Sequence, residues 1–222
     1  MAPPPPHTSP AHPFLRPPQG AEHLVTDKAT VVVCNHQSFL DPSLCALALS
    51  RLNFKCPFKH DLMYVPGVGS CLWLAGHMPI NRANKKDGQD LLSQCCAWIK
   101  RGCPALFFAE GTRHTGAGVG DFKPGAFVVA QREQVPLQCV TISGARAMLP
   151  PGFPNMSFGQ LRITVHPALP PPPKAPKSLE GEARQTANRA FTEASMKACK
   201  ELIKGGLRDV DMVEAVGGKL KK

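Results

Sequence analysis

No two of the nine cysteines in this chain stand at the two-residue spacing of a zinc ribbon or a redox pair; they are scattered at positions 34, 45, 56, 71, 95, 96, 103, 139 and 199. An odd, unspaced set in a chain of 222 residues offers no metal-ligand pattern and reads as reduced thiols filling a core in a reducing compartment. Tyrosine occurs once and aromatics make up 6% of the chain. With no finger, helix-turn-helix or basic-zipper signature either, nucleic acid is not the expected partner. No apolar run is long enough to cross a bilayer; the longest patches, LCALAL and VPGVGSCLWLAG, are core-sized. The N-terminus lacks a charged-then-apolar secretory leader, and with Arg16 as its one basic residue it makes a poor transit peptide. Acid is scarce as well: 16 Asp and Glu against 26 Lys and Arg leave a formal charge of +10, which favours an anionic partner such as a membrane surface or a phosphorylated substrate.

What is present divides unevenly. Residues 1–23 form a Pro-rich leader, MAPPPPHTSPAHPFLRPPQG and the three residues after it, too poor in large apolar side chains to order itself. Residues 170–177, PPPPKAPK, read as a stiff spacer before a C-terminal helix and basic tail at 178–222. Between them, 24–169 is long enough for one globular domain.

Within that body, ATVVVC (Ala29 to Cys34) is a continuous β-branched run, the pattern of a strand buried on both faces, and SFLDPSLCALALS follows with helical periodicity. Pro42 is tolerated if it lies in the first turn. A second buried strand is expected at PALFFA, preceded by a helix over KKDGQDLLSQCCAWIKRG and followed by the glycine-rich EGTRHTGAGVGDF. PGAFVVAQRE reads as a short helix, VPLQCVTIS as a third strand, QLRITVHP as a partly exposed strand, and Leu179 to Gly205 as a helix. Strands alternating with helices imply an α/β single domain with a mainly parallel twisted sheet flanked by helices.

His36 and Asp41 stand where the first strand turns into a helix, a place where α/β folds carry chemistry. Two readings fit the pair. The carboxylate can orient one imidazole nitrogen and leave the other free to take a proton, or Asn35, Ser38 or Asp41 can simply cap the helix with His36 exposed. The second strand delivers Glu110 and Arg113 to its end in the same way, with Gly111 permitting close backbone approach and Arg113 presenting a fork of donors that matches a phosphate. Arg82 in GHMPINR and Lys123 in DFKPGAF are further basic candidates for one anion site.

NHQSFLDP, GHMPINR, FFAEGTR and VPLQCVTIS, in that order, resemble the four sequence blocks of the glycerophospholipid acyltransferase family, and most of all its 1-acyl-glycerol-3-phosphate (lysophosphatidate) acyltransferase branch. The resemblance spans roughly Ala29 to Pro167. It implies that His36 is a general base and Asp41 its orienting partner. It further implies that Glu110, Gly111, Thr112 and Arg113, with Arg82, surround the acceptor's phosphate, and that Val135 and Pro136 line the acyl donor's site. The family commonly has Pro where Ala109 stands and often Ser where His114 stands, and its members usually carry a membrane-embedded or membrane-lying apolar segment where this chain has the Pro-rich leader.

The activity so implied is transfer of an acyl group from an acyl-CoA or acyl carrier protein thioester to a lysophospholipid hydroxyl, with no cofactor, no metal and no acyl-enzyme. The expected setting is the cytosolic or stromal face of an endomembrane or plastid membrane, with peripheral attachment to an anionic surface. Other acceptors, glycerol-3-phosphate or a different lysophospholipid, fit the same chemistry, and a non-catalytic lipid-surface binding relative is the alternative from another class.

Overall fold

Val31–Cys34 has no polar side chain and three residues branched at Cβ, so it suits a strand covered on both faces; all four residues are fully buried. In the computed structural model, which describes residues 18–81, 85–150, 156–211, 215–216 and 219–220, this strand is central. In chain order the elements are β1 (Val31–Cys34), α1 (Asp41–Ala48), β2 (Pro57–Lys59), α2 (Val68–Leu74), β3 (Met78–Ile80), α3 (Lys85–Lys100), β4 (Ala105–Phe108), α4 (Gly125–Glu133), β5 (Leu137–Ser143), α5 (Ala145–Met148), β6 (Arg162–Val165) and α6 (Gly181–Gly206), with 3-10 turns at His60–Tyr64 and Asp209–Asp211.

The main sheet has the order β4-β1-β5-β6. Its first three strands are parallel, and β6 joins β5 antiparallel at the edge. β2 and β3 form a separate parallel pair, tied to the main sheet by a bridge between Lys55 and Ala105. The alternating side chains of β1 feed two cores. Val31 and Val33 pack with Leu91, Cys95 and Phe127 beneath α3 and α4, whereas Val32 and Cys34 pack with Leu44, Leu49 and Ile142 beneath α1. The sheet is thus covered on both faces, as a parallel sheet must be.

Three expectations change in the folded chain. Gln19, in the leader, pairs with β6 through Gln19 N–H to Ile163 O (2.8 Å) and Val165 N–H to Gln19 O (2.8 Å); an edge strand leaves such groups open. Residues 1–17 lie outside the described residues. The Pro-rich 170–177 does not hold α6 away from the body. Gln131 Nε2 donates to Pro173 O (2.6 Å) and Asn188 O (3.0 Å), Ala175 is buried, and Cys199 and Ile203 of α6 are fully buried against β5. The core therefore runs past Leu169. Seven cysteines are free thiols, but Cys139 and Cys199 form a disulfide: α6 lies across β5 and brings two residues 60 apart in sequence to a Cα separation of 6.1 Å, within bonding reach.

Candidate active site

The register of the sheet assembles the site. Cys34 pairs with Phe108, so the residues that follow, 35–36 and 109–110, leave the sheet side by side; Ala109 N–H donates to Cys34 O (3.0 Å). Asn35 replaces strand pairing with its side chain, giving Nδ2–H to Ile142 O (2.8 Å) and accepting Ile142 N–H on Oδ1 (2.8 Å). It thereby pins the end of β1 to β5 while the backbone turns outward at His36.

His36 Nδ1 lies 2.8 Å from Asp41 Oδ2. Asp41 is fully buried, and the same oxygen accepts the N–H groups of Gln37 and Ser38, each at 2.7 Å. A carboxylate offers only lone pairs, so the proton of this pair sits on Nδ1 and Nε2 keeps its lone pair. The imidazole stacks on Phe108 with ring centroids 4.3 Å apart, and its side chain is 15% exposed, enough for Nε2 to meet a substrate. No side chain caps α1; Asp41 instead meets the His36 ring.

Glu110 follows β4 into the same space. It is buried, and neither carboxylate oxygen makes a hydrogen bond among the described residues. Burial pushes its carboxyl up to about 8; the backbone at His36 and Gly120 lowers it, the nearby Asp41 charge raises it, and Arg146 lowers it. Gly111 has φ +72°, and a Cβ there would stand 2.9 Å from the side chain of Lys123, which lies across it. The left-handed φ favours glycine, and any larger residue would also push the flexible end of Lys123 aside. Thr112 is exposed. Arg113 stacks its guanidinium over the Phe39 ring, 3.5 Å from the centroid, and its Nη1 is buried with no hydrogen-bond partner among the described residues. A buried donor without an acceptor is costly, and an anion is the kind of group that would satisfy it.

Arg82 lies outside the described residues. Val135 and Pro136 are not brought to this site. Pro136 O accepts Val31 N–H (3.0 Å), which places both residues at the start of β5 and β1. His36 lies past the other end of β1, about 16 Å away at the rise of a strand. Because β5 runs parallel to β1, it is the end of the fourth block, Ile142 and Ser143, that reaches the His36 side, where Asn35 bonds Ile142.

Sequence reasoning passed over the residues that hold the glycine-rich loop. Arg146 is fully buried and donates to the carbonyls of Thr115 (3.3 Å), Gly116 and Asp211; burial disfavours its charge, and Asp211, Glu110 and Asp41 favour it. Gln37 Nε2 donates to Gly118 O (2.6 Å), and Gly118 N–H donates to Asp211 O (2.9 Å). Asp211 in turn accepts Gly144 N–H (2.9 Å) and Ser143 Oγ–H. The one signal for Arg146 was an arginine inside the small and apolar stretch SGARAM.

An apolar groove of about 380 Å³ opens beside these groups, lined by Pro57, Ile80, Leu92, Phe108, Gly111 and Lys123 among others. It shares Phe108 with the His36 stack, so the groove reaches the ring on which the imidazole rests.

A family model described as acyltransferase matches residues 18–143, more than half of the chain. The chain is 36% identical over 171 residues to a 1-acyl-sn-glycerol-3-phosphate acyltransferase of Chlamydomonas reinhardtii, covering 76% of this chain and 51% of that protein. It is 33% identical over 150 residues to the chloroplastic 1-acyl-sn-glycerol-3-phosphate acyltransferase BAT2 of Brassica napus, covering 67% and 43%. It thus spans about half the length of these relatives. Among solved structures it resembles the 1-acyl-sn-glycerophosphate acyltransferase PlsC of Thermotoga maritima, with a TM-score of 0.61 and 25% identity over 83% of this chain and 70% of that one. By sequence and by fold, this chain belongs to the acyltransferase family.

Proposed function

We propose that the protein transfers a fatty acyl group from a thioester, of coenzyme A or acyl carrier protein, to the free hydroxyl of 1-acyl-glycerol-3-phosphate, giving phosphatidate. The observation that carries this reading is the His36–Asp41 couple, with its carboxylate buried and its Nε2 open, beside an unpaired guanidinium donor on Arg113 and an apolar groove.

The acceptor hydroxyl gives its proton to His36 Nε2 as its oxygen attacks the thioester carbonyl. The tetrahedral intermediate then collapses with loss of the thiolate, which takes the proton from the imidazolium. Asp41 stabilises that imidazolium through Nδ1–H. Positioned base catalysis of this kind is worth on the order of a hundred- to ten-thousand-fold. Arg113 and Lys123 hold the acceptor's phosphate, with Arg82 a further candidate, and Glu110, protonated at neutral pH, offers a hydrogen bond to it. Orientation by this clamp turns a bimolecular encounter into a positioned attack. The groove beside Phe108 receives an acyl chain.

No described helix is long and apolar enough to cross a membrane, and residues 24–169 carry 14 basic against 8 acidic side chains. Peripheral attachment to an anionic surface fits both facts, since each basic residue near such a surface contributes about 1 kcal/mol. The chloroplastic name of the Brassica napus relative favours a plastid membrane among the endomembranes.

The test is acyl transfer from labelled acyl thioesters to a panel of acceptors, with products identified by mass. Transfer to 1-acyl-glycerol-3-phosphate above all others is expected. Preference for glycerol-3-phosphate or another lysophospholipid overturns the acceptor assignment, and no transfer with any acceptor, from folded protein that binds vesicles, leaves a lipid-surface binding protein instead.

A further inference from the structure

The segment between β2 and β3 turns its large side chains away from the protein. Tyr64 is 78% exposed, Leu74 77% and Trp73 62%, and Leu62, Val65 and Val68 are exposed beside them. These six make up most of the exposed large hydrophobics described and fall within 13 residues, a concentration on one segment unlike the scatter expected of any surface.

Packing explains the arrangement. α2 rests on the His60–Tyr64 turn and on β3. The residue it buries is Gly69, where a Cβ would collide with the backbone of Met63. The small face of α2 is therefore its inner one, and the large residues are left outside. A helix serving the core would be turned the other way.

The patch also stands in a definite place. The strands that flank it, β2 and β3, supply Pro57 and Ile80 to the wall of the apolar groove, so the segment and the groove are built on the same two strands. Its polar margin is Lys59, His60 and Asp61, and its apolar centre contains one Trp and one Tyr, whose rings carry an apolar body and a polar tip suited to the headgroup level of a bilayer.

We propose that the Leu62–Leu74 segment is a membrane-docking surface. It inserts its exposed side chains into the interfacial layer of a phospholipid bilayer and sets the groove mouth against the lipid, and its place beside an acyl-chain groove rests on the acyltransferase reading. Burial of the patch supplies a salt-resistant part of the binding, and the excess of basic charge supplies a salt-sensitive part that favours anionic lipid.

Trp73 reports on the contact directly. The chain has two tryptophans, and the other, Trp98, lies under Lys55 and Arg101. In Trp98→Phe protein, vesicles of phosphatidylcholine and phosphatidylglycerol should shift Trp73 emission to the blue, and lipids brominated on the acyl chain should quench it. Trp73→Ser with Leu74→Ser in the otherwise native chain should lower vesicle partitioning by about a hundredfold, at tenfold or more per side chain removed from the apolar phase. The salt dependence and transfer to a short-chain, water-soluble acceptor should be unchanged. The proposal is overturned if the protein ignores vesicles, or binds them with Trp73 unshifted and unquenched. It is equally overturned if Trp73 is already blue-shifted without lipid, either at all protein concentrations, which means cover by the chain's own residues, or increasingly with concentration, which means a second copy. Vesicle binding through Trp73 in a protein without transfer activity would retire the acyltransferase reading and leave the docking surface standing.

Discussion

Glu110→Gln should make the protein more stable at alkaline pH. The wild-type carboxyl is held in a buried place with neither oxygen paired among the described residues, and burial carries its pKa from 4.5 to about 8. The unfolded chain ionises near the ordinary value, so between these two pH values the folded state keeps a proton that the unfolded state has lost. Stability then falls as pH rises, by at most about 1.4 kcal/mol per pH unit, which caps the loss at roughly 5 kcal/mol by pH 8. Glutamine has the same shape and never ionises, but it buries an amide in the same unpaired place, at a cost of about 1–3 kcal/mol. The net gain at pH 8 is therefore about 2–4 kcal/mol, shrinking to nothing or reversing near pH 5. Urea denaturation of both proteins at pH 5, 6.5 and 8 measures it. His77 and His166, whose protonation burial disfavours, act with the opposite sign, losing stability as pH falls through the ordinary imidazole range. They are common to both proteins and cancel in the difference. A difference that does not change with pH would refute the reasoning, because it would mean that Glu110 is ionised and solvated in the folded protein.

His36→Ala should reduce transfer by about a hundred- to ten-thousand-fold or more in protein that still folds, with a somewhat lower denaturation midpoint because the ring stacks on Phe108 and partners the buried Asp41, and Asp41→Asn should cost less activity than His36→Ala but still orders of magnitude; steady-state rates on folded protein decide both. Arg113→Lys keeps the charge but loses the fork and the stacking on Phe39, so the acceptor KM should rise clearly while the donor KM stays, and equal movement of both would exclude a phosphate-specific contact. Asp211→Ala strips the acceptor from Gly144 N–H and Ser143 Oγ–H and should cost about 2–4 kcal/mol of stability by denaturation, with a raised acceptor KM as the loop at Gly118 loosens.

Local sequence decided what depends on neighbours along the chain. Val31–Cys34 could only be a buried strand, because its side chains offer nothing to water on either face, and the period of Leu40, Leu44, Leu47 and Ala48 announced the helix beyond it. Sequence placed His36 and Asp41 at one strand-to-helix turn but left open whether they meet or Asp41 merely caps the helix; the contact itself is a fact of the fold. Gly111 was legible as the residue that lets the backbone come close at the end of the second strand, while its positive φ of +72° was not.

Tertiary structure decided what depends on which strand lies beside which, and in which direction. Parallel pairing of β5 with β1 puts Val135 and Pro136 at the far end of the sheet from His36 and brings Ile142 and Ser143 near it, a sorting that pattern cannot show because both ends of a buried strand look equally apolar. Arg146, Gln37 and Asp211 gather around one loop through hydrogen bonds between residues 30, 65 and 81 positions apart, and neither propensity nor periodicity carries information over such a span. The docking of α6, and with it the Cys139–Cys199 bond, arises because β5 presents a face that only a helix from outside the expected body can cover. The patch around Trp73 faces outward for a complementary reason. LWLA reads as core in one dimension, but Gly69 against Met63 gives α2 its inner face in three, and Trp73 and Leu74 are left exposed.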